Sequence, residues 1–520
     1  MNLTAFRALA AGALLAWFAV PAQAEWMEAR SPHFTVVADM SERELRERTL
    51  QLERFDAMLR YLLGVKETIP VTVYVVDGID AVQRAGGGRM RNVAGFYSAS
   101  AQGANAVVPE RLNFYLEDFN PRVVLFHEYA HHMLLSNTDV FMPGWAQEGL
   151  AEMFATAKLE DDGSVVIGDK NDSRGAAMFG LHRWSVERML DSDFNPPRNS
   201  EESLEKYSRG WALAHYLWIS GERPGQYVDF IAELNRTIDP VASGRKVFGD
   251  LGALDRELDR YIRAHRFNLS RFSAEQINAP TEVAIRPLRE GEAAMIAYRM
   301  RSTIGVDEES ALTLAERARP VAARFPDDVA VQTWLAEIEY DAKNYDAANV
   351  AADRALALEA DNLFALIYKG RIGMRRAMAA GSDPAQVREA RSWFLRANRA
   401  HPNHALPFML YYDSFAAVGA PAPKDAVAGL YRATVLVPQD TALRIRSAIE
   451  LIREGEAARA RSIIAPAAFA AEGTGENKAL KLIKAMDETL DRDALLETVR
   501  ELKLDRVNDF IEPDEDEEEG

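Results

Sequence analysis

The chain contains no cysteine in its 520 residues, so neither disulfides nor thiolate-held metal clusters can stabilise it. A polypeptide of this length does not need them, because it can bury a large apolar core. Histidine is scarce, with 9 residues, and any clustering of imidazoles is therefore informative. Bases are outnumbered: 61 Lys and Arg against 79 Asp and Glu give a formal charge of −18. Such a surface repels phosphate backbones and anionic lipid, which disfavours nucleic acid and membrane surfaces as partners. Long apolar runs are missing beyond the N-terminus, so no stable membrane anchor is expected. The single apolar run, residues 8–20, follows Arg7, is too short to span a bilayer, and leads into Pro21-Ala22-Gln23-Ala24. This order of charge, apolar stretch and small residues reads as a signal peptide over residues 1–24. An exported chain without cysteine fits a bacterial periplasmic or secreted protein.

What the sequence does have is His127-Glu128-Tyr129-Ala130-His131. Residues four apart on a helix project from the same face about one turn apart, so His127 and His131 can grip one Zn2+ from a single rigid element. Glu128 would point at a water on the open side of the metal and act as general base. The surrounding residues predict the helix independently. Asn120 is a good N-cap, Pro121 suits the first helical position, and Ser136-Asn137 supplies a stop. Val123, Val124, Leu125, Phe126, Ala130, Met133, Leu134 and Leu135 make the segment apolar around most of its circumference, as a buried helix requires. Burying three ionisable groups together is costly unless something pairs them, and a divalent cation does so. His132 lies about 100° around the helix from His131, so it reads as structural.

A catalytic zinc site needs a third protein ligand. Downstream lies Pro143-Gly144-Trp145-Ala146-Gln147-Glu148-Gly149-Leu150-Ala151-Glu152, which predicts a helix with Glu148 and Glu152 on one face. H-E-x-x-H followed by P-x-W-x-x-E-G-x-A-E resembles the gluzincin metallopeptidases, including the M1-type aminopeptidases and the bacterial peptidase MA-like proteins. The resemblance implies that Glu148 is the third zinc ligand; it transfers no fixed role to Glu152, which reads as a helix-surface carboxylate, with support of a ligand as the alternative. Tyr207-Ser208-Arg209-Gly210-Trp211 is similar to the Y-x-K-G segment of the M1-type enzymes, with Arg209 in place of Lys, and is expected to open a helix. By that resemblance Tyr207 hydrogen-bonds the oxyanion. The G-x-M-E-N loop of the aminopeptidases is missing. In its place residues 94–98 and 104–109 read as a hairpin, whose edge strand could hold an extended peptide by main-chain pairing.

The expected fold is an α+β zincin-like (gluzincin) catalytic domain over residues 25–270, then a linker at 271–288 and an all-α tetratricopeptide-like repeat domain over 289–505. Residues 506–520 read as an acidic disordered tail. Residues 31–39 and 71–76 predict strands, and 41–63 predicts a helix with Ser41 and Glu44 forming a capping box. Glycines 86–88 read as a loop near the cleft. The clearest helical unit is 330–361, whose Trp334, Ala336, Tyr340, Tyr345, Ala348, Ala352 and Ala355 fall near tetratricopeptide positions. Units at 289–327, 362–403 and 405–440 flank it, and a degenerate helix pair runs to about 504. The leading expectation is an exported zinc-dependent metallopeptidase acting on a peptide or protein substrate, with the repeats docking substrate or partner or bracing the catalytic domain. The alternative is a repeat scaffold or assembly factor with a structural or vestigial zinc site.

Overall fold

A computed structural model describes residues 26–86, 95–111, 121–136, 140–169, 184–264, 266–469, 477–505 and 510. The expected signal peptide, Asn120, Asn137, Gly87, Gly88 and most of the expected acidic tail lie outside these residues. The protein is of mixed α+β class, with a small N-terminal sheet and a helical C-terminal region.

The main sheet runs in the order β4-β5-β3-β2-β1-β9. Its strands are β1 (Trp26–Arg30), β2 (Phe34–Asp39), β3 (Val71–Val76), β4 (Phe96–Ser100), β5 (Gly103–Pro109) and β9 (Ala284–Pro287). The centre, β2-β3-β5, is parallel, and antiparallel strands flank it. Val36, Val73 and Ala106 form one row across the centre; the next row, Val37, Tyr74 and Val107, points the other way. Both rows are buried. The first packs on helix α1 (Glu42–Leu63), and the second on Leu288, Ile296, Met300 and Trp334 of the helical region. Coverage on two faces is why Val-Thr-Val-Tyr-Val-Val is nearly continuous in apolar character.

Helix α1 begins with the expected capping box between Ser41 and Glu44, and Gly64 ends it in the left-handed conformation. The hairpin β4–β5 forms as expected, and β4 is a sheet edge. Strand β1 and helix α2 (Gly78–Gly86) were not expected from the sequence.

Helix α3 (Pro121–Leu134) lies on α1. Phe55 and Phe126 stack with ring centroids 3.8 Å apart, and the Tyr129 hydroxyl donates to Asp56 Oδ1 at 2.6 Å. Helix α4 (Gly144–Ala155) is buried at all of its residues. The helix Ser200–Trp218 crosses it so closely that a Cβ on Gly149 would collide with the Gly210 carbonyl, and one on Gly210 would sit 2.8 Å from the Trp145 carbonyl. Two facing glycines thus set the separation of these helices.

The stretch expected to be a linker is not one. Residues Ser270–Phe272 form β8, which pairs with β7 (Val165–Ile167). Strand β9 pairs with β1 and closes the far edge of the main sheet. Pro287 ends β9, and Pro280 lies in the irregular stretch before that strand. Phe510, within the expected tail, is also buried, with its ring 6.1 Å from that of Phe394.

Beyond residue 289 the chain forms helical hairpins. Glu290–Ile304 pairs with Glu308–Ala322, Val329–Asp341 with Tyr345–Leu358, Leu363–Ala379 with Pro384–Ala400, and Ala405–Ala416 with Lys424–Leu436. The final segment is longer than one pair: Thr441–Arg453, Ala457–Ala468, Lys478–Glu488 and Arg492–Glu501 are all helices. Each unit after the first opens on a similar cap, with Asp328, Asn362, His404 and Asp440 accepting from the first-turn amides. Small alanines (348, 351, 352 and 355) sit fully buried between paired helices, where they permit close approach.

The glycine crossing gives a direct test. Replacing Gly149 by Ala forces a methyl against backbone that cannot rotate away. The expected cost is about 1–3 kcal/mol, measured by chemical denaturation, whereas an unchanged unfolding free energy would contradict the close crossing.

Candidate metal site

The two histidines of α3 come together as the spacing requires. His127 Nε2 and His131 Nε2 lie 3.2 Å apart. Glu148, on the first turns of α4, places Oε2 3.5 Å from each of them. The triangle therefore has edges of 3.2, 3.5 and 3.5 Å. A tetrahedral centre with bonds of about 2.0–2.1 Å has ligand–ligand edges of roughly 3.3–3.4 Å. His127, His131 and Glu148 thus stand where three corners of such a tetrahedron would be, and among the described residues no fourth side chain joins the group.

The electrostatics agree. Glu148 is fully buried, and the groups that face its Oε2 are the two imidazole nitrogens at 3.5 Å. Burial alone would raise its pKa, but the two imidazoles outweigh that and hold it well below the carboxylate range. Burial alone would depress His127; Glu148, with Glu152 and Glu128 behind it, lifts it to about 9. A second cluster, His33, Glu53 and Asp56, could also be drawn together by a cation, yet its groups already satisfy one another. His33 Nδ1 meets Glu53 Oε2 at 2.8 Å, and Asp56 receives both Arg60 Nε at 2.7 Å and the Tyr129 hydroxyl. That cluster ties α3 to α1, whereas the Glu148 carboxylate has only the two imidazoles beside it, in an arrangement that could hold a metal ion.

Glu128 is half-buried beside His127, and its charge, after burial, helps raise the pKa of the Tyr97 hydroxyl on β4. The general-base candidate and the edge strand are therefore neighbours. Tyr207 lies outside the triad. It is half-buried in the interior of helix Ser200–Trp218, not at a helix start as the sequence led us to expect, because Asn199 caps that helix two turns earlier. It stands three residues before Gly210, on the face that crosses α4.

Glu152 corrects a reading. It is buried, not on the helix surface, and its Oε1 is 3.7 Å from His127 Nδ1. The face it shares with Glu148 was visible in the spacing; the burial of the whole of α4 was not. Asp193 was missed altogether. It accepts from the Gly144 amide at 2.9 Å and fixes the start of α4, while burial pushes its pKa up to about 6 against the pull of Lys206. His132 is buried, with Nδ1 2.5 Å from the Tyr97 hydroxyl, and burial with nearby Arg60 holds its pKa down to about 3. It is a neutral structural contact.

Comparison with known protein families and with curated proteins finds no match for this chain. The chemistry of the site is therefore read from its geometry.

Two outcomes are expected. Glu152→Gln removes the carboxylate behind His127 and should weaken divalent-metal affinity by about 10–100-fold, as read by chelator competition; unchanged affinity would leave Glu152 a mere core residue. In the metal-free fold His127 keeps its proton up to about 9, and the ion must displace it. Metal uptake at pH 7.5 should then release about one proton or more, measured by calorimetry in buffers of different ionisation enthalpy, and apparent affinity should climb as pH rises towards 9.

Proposed function

We propose that this protein is an exported zinc metallopeptidase of gluzincin type, its N-terminal half a zincin-like catalytic domain. The observation that carries the reading is the buried Glu148 carboxylate. Fully buried, it completes a near-equilateral triangle with His127 and His131. Two imidazoles and one carboxylate are the usual donors of a catalytic zinc site, in which a fourth position stays open; structural zinc sites close all four. That three-ligand set favours catalysis over a structural or vestigial role.

Bound zinc would supply Lewis acidity, lowering the pKa of a water and polarising the scissile carbonyl. The chain's own residues perform the remaining tasks. Glu128, one residue from a ligand and partly accessible, accepts the proton of the attacking water and passes it to the leaving amine. Glu152 behind His127 Nδ1 orients that ring. Tyr207, by its resemblance to the M1-type Tyr, donates a hydrogen bond to the oxyanion. Strand β4 is an edge whose Tyr97 stands near Glu128, so an extended peptide pairing with its free side would run past the general base. Export rests on the leader-like residues 1–24 and on the lack of cysteine. No helix among the described residues is long and apolar enough to cross a membrane.

The test pairs metal analysis with one substitution. The purified protein should contain one zinc per chain and cleave members of a peptide library. Glu128→Gln should keep the zinc and lose on the order of 10²–10⁴-fold in kcat/KM, and chelation should abolish cleavage until zinc is restored. Zinc retained with no Glu128-dependent cleavage would overturn the peptidase reading.

A further inference from the structure

The helical array reaches the end of α3 and the tip of the β4–β5 hairpin through one short loop. Residues 437–440 join helix Lys424–Leu436 to helix Thr441–Arg453, and two of their side chains grip opposite walls. Gln439 Nε2 donates to Ser136 Oγ at 2.7 Å and to the His132 carbonyl at 3.3 Å, both at the C-terminal end of α3. Asp440 Oδ2 accepts from the Ala101 amide at 2.8 Å, at the tip of the β4–β5 hairpin. Its other oxygen caps the next helix through Leu443 N at 3.0 Å. Directly between the two walls, the Tyr97 hydroxyl of β4 meets His132 Nδ1. The loop is itself held stiffly. Arg444, 1% exposed, binds the Pro438 carbonyl at 2.6 Å and the Ile463 carbonyl at 3.2 Å.

Other parts of the array also lie on the N-terminal half. Trp334 and Met300 cover the outer face of the sheet. Phe469 stacks on Phe141, and its carbonyl accepts from Gln147 Nε2, next to Glu148. These parts of the array are engaged with the chain's own N-terminal half.

We infer that Gln439 and Asp440 are positioning residues, which fix the edge strand that would hold the peptide relative to the helix carrying Glu128. The array is thus an internal strut for substrate alignment. This rests on the metallopeptidase reading only for its kinetic consequence; the mechanical one stands apart. Neither residue touches the triad, so neither is needed to hold the metal. Gln439 acts on α3 beyond the ligands, and Asp440 acts on the hairpin tip beyond Tyr97.

The test uses the full-length protein. Gln439→Met keeps the volume and removes the donor. Asp440→Asn keeps a good N-cap for Thr441–Arg453 and replaces the acceptor facing Ala101 by a donor. Gly291→Ala, which drives a methyl against Val331 in a separate part of the array, serves as a destabilised control away from the loop. Zinc content, amide exchange of residues 96–103, and kcat and KM for a cleaved peptide are measured in parallel. In both loop variants zinc content should match the wild type, exchange of the hairpin should speed up about tenfold or more, and KM should rise on the order of ten- to a hundredfold with a smaller loss in kcat. The control should lower the melting temperature and leave hairpin exchange and KM unchanged. Wild-type hairpin exchange in both loop variants, or an equal acceleration in the control, would overturn the proposal. If the wild type cleaves no peptide at all, the peptidase reading falls and the exchange comparison alone decides the strut.

Discussion

A carboxylate buried against two imidazoles is the constraint on which the rest of this structure depends. Glu148 sits in a helix that is buried at every residue, and without compensation its charge would be untenable there. His127 and His131 supply that compensation at 3.5 Å. For them to do so, α3 and α4 must be held in one relative position. The structure meets that requirement from several directions: facing glycines below α4, Asp193 at its first turn, and the Tyr129–Asp56 bond behind α3.

These supports share a feature: they leave the metal-facing side of the triad alone. The Tyr129–Asp56–His33–Glu53 network is internally satisfied and works as a structural tie. The Glu148 group rests on two imidazoles at 3.5 Å and is arranged so that it could hold an ion. Both clusters contain histidine and carboxylates in close contact, and composition cannot tell them apart. What separates them is which groups face the carboxylate oxygens.

How much was legible in the sequence follows from how local each feature is. The capping box at Ser41 and Glu44, strand β3, the β4–β5 hairpin, α3 and the start of α4 are all specified by residues within a few positions of one another. The pairing of His127 with His131 is helical periodicity, and Glu148 was reached by resemblance. What could not be read depends on distant partners. Strands β1 and β9 are short, and their main-chain pairing leaves little trace in side-chain pattern; β9 was consequently taken for part of a linker. Glu152 was judged exposed because a carboxylate usually is, and only the crowding around α4 buries it. Gln439 and Asp440 carry no local signal for a role 303 and 339 residues away.

Those sequence separations bear on how the molecule is made. Contacts that close such long loops carry a large entropic cost in reaching the native state and are slow to form. The triad and its two helices come from the first third of the chain and can associate among themselves. The wall opposite α3 is tied down only once residue 440 has emerged and its helices have packed. A nascent or truncated chain would therefore possess the His127, His131 and Glu148 cluster before its hairpin tip had Asp440 to pair with. Completion of synthesis, not assembly of that cluster, is the step that ties the hairpin down.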